Sequence, residues 1–486
     1  MTVAASLRGV LAAAVLTAAC ATATTTTTTG TPGAAPEAKD MRLVGHEPLQ
    51  GRSAYQPLAV KQGERWIAYV GHHGGRRMNS LTGQEELNGT SIVDVTDPAK
   101  PQYLAHVPGA AGEAEDGGAS MVRICEGREL PKADKSKTYL LRTLGRLAHE
   151  VWDVTDPRKP VIVTTIVKGL GETHKNWWEC NTGIAYLVSD GRPQGWRTNR
   201  MTKIYDLSDP ANPRFIRDFG LAGQEPGSNP TTKAPEGVHG PIVYRNRVYF
   251  AYGTGANGVL QIVDRDRLLN GNPSASGDKL APTADNLRFP EIGRLDMPPD
   301  WGGHTSYPVI GIPIGDHILN LNGKLRDVVV LVSESLRNEC QEFRQLTFLV
   351  DITTPSKPFT VSTFEVPESS GDFCRRGGRF GPHSSHESFA SVFYGRLVFL
   401  AYFNAGVRAV DIRNPFSPRE VAYFIPAVTP ATAQRCVKVD GADQCKVAIQ
   451  TNNVEVDERG FVYLADRANT GLHIVALTGA VKAIVE

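Results

Sequence analysis

Seven of the 12 histidines stand in or beside glycine-containing turns that lead into apolar, strand-like runs. His174 ends Gly171-Glu172-Thr173-His174, His239 follows Glu236-Gly237-Val238, and His304 follows Gly302-Gly303. His383 and His386 share Gly381-Pro382-His383-Ser384-Ser385-His386-Glu387, and His72 and His73 sit between Gly71 and Gly74. Neutral imidazole is the commonest metal ligand and suits Zn, Cu or Fe. Four imidazoles from separate segments could hold such an ion with open positions. His174, His239, His304 and His383 are therefore the expected metal ligands. His72, His73, His386 and Arg344 are expected to contact substrate or to move protons. Glu172, Glu236 and Glu387 lie close by as ligand orienters, with Glu236 a candidate general base. Arg76, Arg77, Arg192, Arg197 and Arg344 could clamp an anionic substrate. Two blander readings compete: the histidines line a channel as polar residues, or they bind a ligand without metal. No His-Glu-x-x-His segment, Gly-x-Ser-x-Gly elbow, phosphate loop or dinucleotide fingerprint is present.

What would bring these segments together is a repeat. An apolar strand, an Asp, and then a Pro turn recur at Ser91–Pro101, Glu150–Pro160, Lys203–Pro213, Leu349–Pro358 and Val407–Pro418. Gln261–Asp264 keeps the strand without the turn, and Leu472–Ala476 is a worn final copy. The Asp or Asn side chain caps the turn and Pro fixes φ. Seven copies with a period of about 60 residues predict an all-β, seven-bladed β-propeller of four-stranded antiparallel blades. Met41–His46 looks like the outer strands, so it is expected to complete the last blade and close the ring. One interval is long, and places an insertion at 266–290 that reads as loop. Strands alternate direction, so the Asp turns lie on one face and the histidines on the other, around the axis.

The repeats resemble the LVIVD-repeat family of bacterial β-propellers through Ser91–Asp94, Gln261–Asp264, Arg408–Asp411 and the Pro turns. The resemblance implies the fold and says little about activity, because propellers host many functions. Carotenoid oxygenases, which hold iron with four histidines on a seven-bladed propeller, are a precedent of architecture only, since none of their motifs is visible here.

Residues 1–19 read as a secretory signal, with Arg8 before an apolar run too short to span a bilayer. Thr17-Ala18-Ala19-Cys20 is similar to a bacterial lipobox, with Cys20 the expected lipid-bearing residue. Residues 20–40, with Thr24–Thr29, read as a flexible tether to a single domain at 41–486. Six cysteines remain, an even number that favours disulfides in an exported chain. The topology pairs Cys125 with Cys180 on adjacent inner strands. It places Cys340 near Cys374, and Cys436 and Cys445 bracket a local loop. Net charge is +1 with no basic block, which argues against nucleic acid as a partner. The expected protein is a monomer on the periplasmic side of the envelope, held to the membrane by an N-terminal lipid. It would act on a small molecule or envelope ligand as a metal-dependent oxidoreductase or hydrolase. The competing expectation is a non-enzymatic propeller that binds a protein, glycan or small ligand.

Overall fold

The structure is a computed structural model that describes residues 35–315 and 324–486. The expected signal, Cys20 and most of the expected tether lie outside the described residues.

The fold is all-β and propeller-like. Five antiparallel sheets each follow chain order through four strands. The sheet Thr173–Trp178, Ile184–Ser189, Met201–Asp206, Arg214–Phe219 is representative. A nine-stranded sheet joins two more such groups, Phe380–Ile425 and Thr451–Leu477, through the single pairing of Phe403 with Thr451. Met41–Glu47 pairs antiparallel with Gly471–Leu477, so an N-terminal strand covers the outer edge of the last group. Glu37–Lys39, placed in the tether on composition, instead forms a short strand against Tyr423–Ile425.

The turn chemistry is the one the repeat predicts. Oδ1 of Asp94, Asp153, Asp206, Asp351 and Asp411 accepts the backbone N–H two residues on, at 2.8–3.0 Å. Register puts these turns far from the histidines. Thr173 faces Ser189 and Ser189 faces Met201 at one end of a sheet, while Ile184 faces Asp206 at the other.

Apolar side chains pack between successive groups of strands rather than at one centre. Tyr69 and Ile92 meet Val122 and Leu140, and Leu141 and Val151 meet Ala185 and Leu187. Tyr186 and Ile204 meet Val248 and Phe250, and Tyr249 and Ile262 meet Val329 and Leu331. Val330 and Leu349 meet Val398 and Leu400, and Phe399 and Ala409 meet Val454 and Leu464. Ala68 and Val93 then pack against Tyr463 and Ile474, first group against last. Each fully buried Val, Leu or Phe contributes about 2 kcal/mol by leaving water.

The insertion at 266–290 is more ordered than a loop. It contains two short helices, Arg265–Asn270 and Ala284–Arg288, capped by Asp264 and Thr283. Leu268 and Leu287 enter the neighbouring core, and Arg217 donates to the carbonyls of Leu268 and Asn286. Helices of six and five residues are too short for a 3.6-residue period to show in sequence.

Candidate metal centre

Five side chains at or just before the starts of first strands, Tyr55, His174, His239, His304 and His383, meet in one cluster. Ring centroids of His174 and His239 are 4.6 Å apart, those of His239 and His304 3.4 Å, and those of His304 and His383 4.4 Å. Tyr55 closes the circle, 5.8 Å from His383 and 5.9 Å from His174. All five side chains are buried. The four histidines expected as ligands are thus brought together, and burial holds each imidazole well below its usual pKa, in the neutral form that binds metal.

Hydrogen bonds decide where the lone pairs point. Nδ1 of His383 donates to the carbonyl of Asn452, and Nδ1 of His239 donates to the carbonyl of His304 at 2.5 Å. A carbonyl only accepts, so Nε2 of each neutral ring carries the lone pair, free in His383 and taken up in His239 by Nε2 of His174. His304 is engaged at Nδ1 by Thr305 Oγ1 at 2.9 Å. Nε2 of His304 and of His383 are both buried with no hydrogen-bond partner among the described residues.

Between them stands Glu334, a residue the sequence did not mark out. Its carboxylate oxygens lie 3.9 Å from His304 Nε2 and 3.7 Å from His383 Nε2. The three donor atoms lie within 4.8 Å of one another. Two donors about 2.1 Å from one ion can be up to about 4.2 Å apart, so both Glu–His separations leave room for an ion. Burial raises the Glu334 carboxyl, against the pull of Arg379, whose Nη1 is 2.9 Å away. A pair of His and a Glu is a donor set used by catalytic zinc and by non-haem iron. His174 and His239 lie alongside with their Nε2 atoms 2.8 Å apart, and the Tyr55 hydroxyl is 3.3 Å from the former.

The other expected site residues divide. His73 faces a cavity of about 630 Å³ beside the ring, with Nε2 2.9 Å from Arg467 and its ring 4.7 Å from Tyr55. Arg77 is also on the cavity wall. His72 points away, bonded to Ser91 Oγ at 2.7 Å. His386 lies deeper, accepting the Phe399 N–H at Nδ1 and packing on Tyr307. Glu236 stays at the rim with Lys233. Arg344 is engaged by Glu365 and Glu368, Arg192 by Asp190, Arg76 by Glu85, and Arg197 by backbone carbonyls. Apart from His73, which packs on Tyr55, none of these is brought to the ring. Strand alternation explains His72, since neighbours in a strand face opposite sides.

Glu172 pairs with Arg200 rather than with a histidine. Glu387 lies below the ring and pairs with Lys175 and Arg123. Beside it Glu455 accepts the N–H groups of Glu387 and Ser388, each at 3.0 Å, and Gln56 Nε2 at 3.2 Å. Two cations and two carboxylates thus form a buried polar floor under the histidines. Burial raises Glu455 to about 7. Trp178 packs in a core, and Trp177 stacks under Arg123 rather than lining the cavity.

The three expected cysteine pairs are present as disulfides: Cys125–Cys180, Cys340–Cys374 and Cys436–Cys445. They fit a protein folded in an oxidising compartment. No helix among the described residues is long and apolar enough to cross a membrane.

Compared with known proteins, the chain matches no family model and no curated protein.

Proposed function

We propose that the protein is an exported seven-bladed propeller of the LVIVD-repeat kind that binds one transition metal ion at the axis and acts as a metal-dependent enzyme. The observation that carries the metal is the buried set of His304, Glu334 and His383, with two partnerless Nε2 atoms facing one carboxylate. The Nε2 lone pair of His383 faces the Glu334 carboxylate with no donor between them, an arrangement that a bound cation would satisfy. His304, His383 and Glu334 hold the ion, and His239 and His174 stand next to it as further ligands. The seven-blade count rests on seven core seams, the last joining the first group to the terminal strands, and on the pairing of Met41–Glu47 with Gly471–Leu477. The disulfides support export, and lipidation at Cys20 would tether the domain to the envelope.

When bound, such an ion supplies a Lewis acid or a redox centre. The chain's own residues do the rest. Asn452 and Thr305 orient the ligand rings, burial excludes water, and Arg379 and Arg467 frame the approach from the cavity. The donor set fits Fe or Zn chemistry, of oxidoreductase or hydrolase type.

The test is elemental analysis of protein purified from an oxidising compartment, with His304→Ala and His383→Ala beside it. About one Fe, Zn or Cu per chain is expected in the parent and its loss in each variant, with folding checked by circular dichroism. A folded parent that neither retains nor takes up any of these metals would leave the non-enzymatic ligand-binding propeller as the better reading.

A further inference from the structure

The cavity beside the ring has a charge imbalance that a metal centre alone does not require. Among the described residues six cationic side chains line it, Arg77, Arg337, Arg379, Arg435, Lys438 and Arg467, but only two carboxylates, Glu113 and Glu115. Arg77, Arg337 and Lys438 are exposed and cost little in water. The inner three guanidiniums are different. Arg379 is balanced by Glu334 at 2.9 Å, and Arg467 by Glu115 at 3.3 Å. Arg435 has no carboxylate at ion-pair distance among the described residues, and its Nη2 bonds only to the carbonyl of Arg467 at 3.3 Å. Burial and the repulsion of Arg467 both pull its pKa down, while Asp466 opposes them. Asp466 is already committed to the N–H groups of Gln450, Ala468 and Thr470. Collecting a third guanidinium against two others, without a counter-charge of its own, is unfavourable.

The cavity is also built to keep its shape. Arg435 and Lys438 lie on the hairpin Gln434–Val439/Ala442–Val447, which Cys436–Cys445 staples. Asn338 Nδ2 ties that hairpin to the opposite wall through the carbonyl of Cys436 at 3.0 Å. A volume of about 630 Å³ lies in the range of small-molecule sites.

We infer that this cavity binds a small ligand with at least two oxyanionic groups, held by Arg435, Arg467 and Arg379. One group supplies the counter-charge that Arg435 lacks, and the other lies toward Arg379 and Glu334, next to the metal ligands. The inference rests on the proposed metal centre only for what happens to the ligand after it binds. Guanidinium forks recognise carboxylate and phosphate in the same bidentate way, so both are candidates.

The experiment is calorimetric titration of the full chain, as purified and after metal depletion, with succinate, inorganic pyrophosphate and uncharged succinamide. Binding of succinate or pyrophosphate is expected, weakening as salt rises, with none for succinamide. A carboxylate-preferring site favours succinate and a phosphate-preferring one favours pyrophosphate. Arg435→Gln is expected to weaken binding tenfold or more, and Arg435→Lys to restore part of it. Circular dichroism establishes that both variants fold. Equal binding of succinamide, or unchanged affinity in Arg435→Gln, overturns the inference. Binding lost on metal depletion also overturns it, because the ion and not the arginines would then hold the ligand. Anion binding that persists in a chain unable to take up metal leaves the inference standing and removes the metal reading.

Discussion

At one end of five of the groups of strands, polar atoms are satisfied within two residues. Asp153 Oδ1 takes both the N–H and the hydroxyl of Thr155, and the same short loop of bonds recurs at Asp94, Asp206, Asp351 and Asp411. At the other end the partners come from distant parts of the chain. Tyr55 meets His174, His239 bonds the carbonyl of His304, and His383 bonds that of Asn452. Below them Arg123 reaches Glu387. The Asp ends are self-contained and can be copied blade after blade. The histidine ends are complete only when segments distant in the chain come together, and among the described residues Nε2 of His304 and of His383 there still has no hydrogen-bond partner. Repeated chemistry at one end builds the fold, and unrepeated chemistry at the other is free to become a site.

Disulfide removal sets this contrast at its largest scale. Cys125 lies in register with Tyr139 and Asp153, so Cys125–Cys180 staples two groups at the Asp end across 55 residues. Cys436–Cys445 closes only 9 residues in the hairpin at the histidine end. From loop entropy, Cys125→Ser with Cys180→Ser should lower the unfolding free energy by about 4 kcal/mol in denaturant titration, and the short pair by about 3 kcal/mol. The separation of roles predicts that the larger loss leaves metal content unchanged. The smaller one should loosen Arg435 and weaken anion binding. Metal lost on removing Cys125–Cys180 would show that the two ends are not independent.

The same contrast sets what could be read before the structure. The Asp–Pro turns are local, so spacing alone located them, and through them the four histidines at the opposite strand ends. Tyr55 was countable by the same logic, because it opens the first inner strand where other groups have His. Glu334 had no such marker. It follows the apolar strand Leu325–Val332 and reaches the ligands by returning along a second strand rather than opening a first. Arg435 was hidden for a similar reason, since its hairpin lies outside the repeat. Arg344 and Glu236 are expected beside the histidines, whereas the structure leaves Arg344 with Glu365 and Glu368 and Glu236 with Lys233. Face can be read from strand direction, whereas distance from the axis depends on loop paths that no short pattern encodes. Within 266–290, composition pointed to loop while two capped helices formed, because Leu268 and Leu287 had a core to enter.

Buried imidazoles away from the axis give a second, smaller test. His149 is buried, with Nε2 3.1 Å from the carbonyl of Val188, and burial lowers its pKa to about 4. Unfolded, it would titrate near 6.5, so below that pH the unfolded chain takes up a proton that the folded one refuses. Its contribution to stability is whole above pH 6.5 and is lost as pH falls toward 4, by about 2 kcal/mol at pH 5. Glu455 works in the opposite sense. With a pKa raised to about 7, it is protonated in the fold before it is in the unfolded chain, and so favours folding as pH drops from 7 to 4.5. In His149→Gln the fall in melting temperature between pH 7.5 and pH 5 should therefore shrink. An unchanged pH response would mean that His149 is not a neutral, buried group.

The smallest effect belongs to a single turn. Asp153→Ala removes one Asx cap with two short bonds, to the Thr155 N–H at 3.0 Å and to its hydroxyl at 2.6 Å, in a partly exposed turn. Lys137, 3.1 Å from the same carboxylate, is itself 41% exposed, so that pair adds little. The expected loss is about 1 kcal/mol, read from the denaturant midpoint, with metal content and anion affinity unchanged. Because the bonds are local, Asp153→Ala and Asp206→Ala should add when combined. Substitutions around the ring, such as Tyr55→Phe with His174→Gln, should not, since those residues touch one another. Strong coupling between the two turn variants would mean that the Asp ends, too, are wired across the chain.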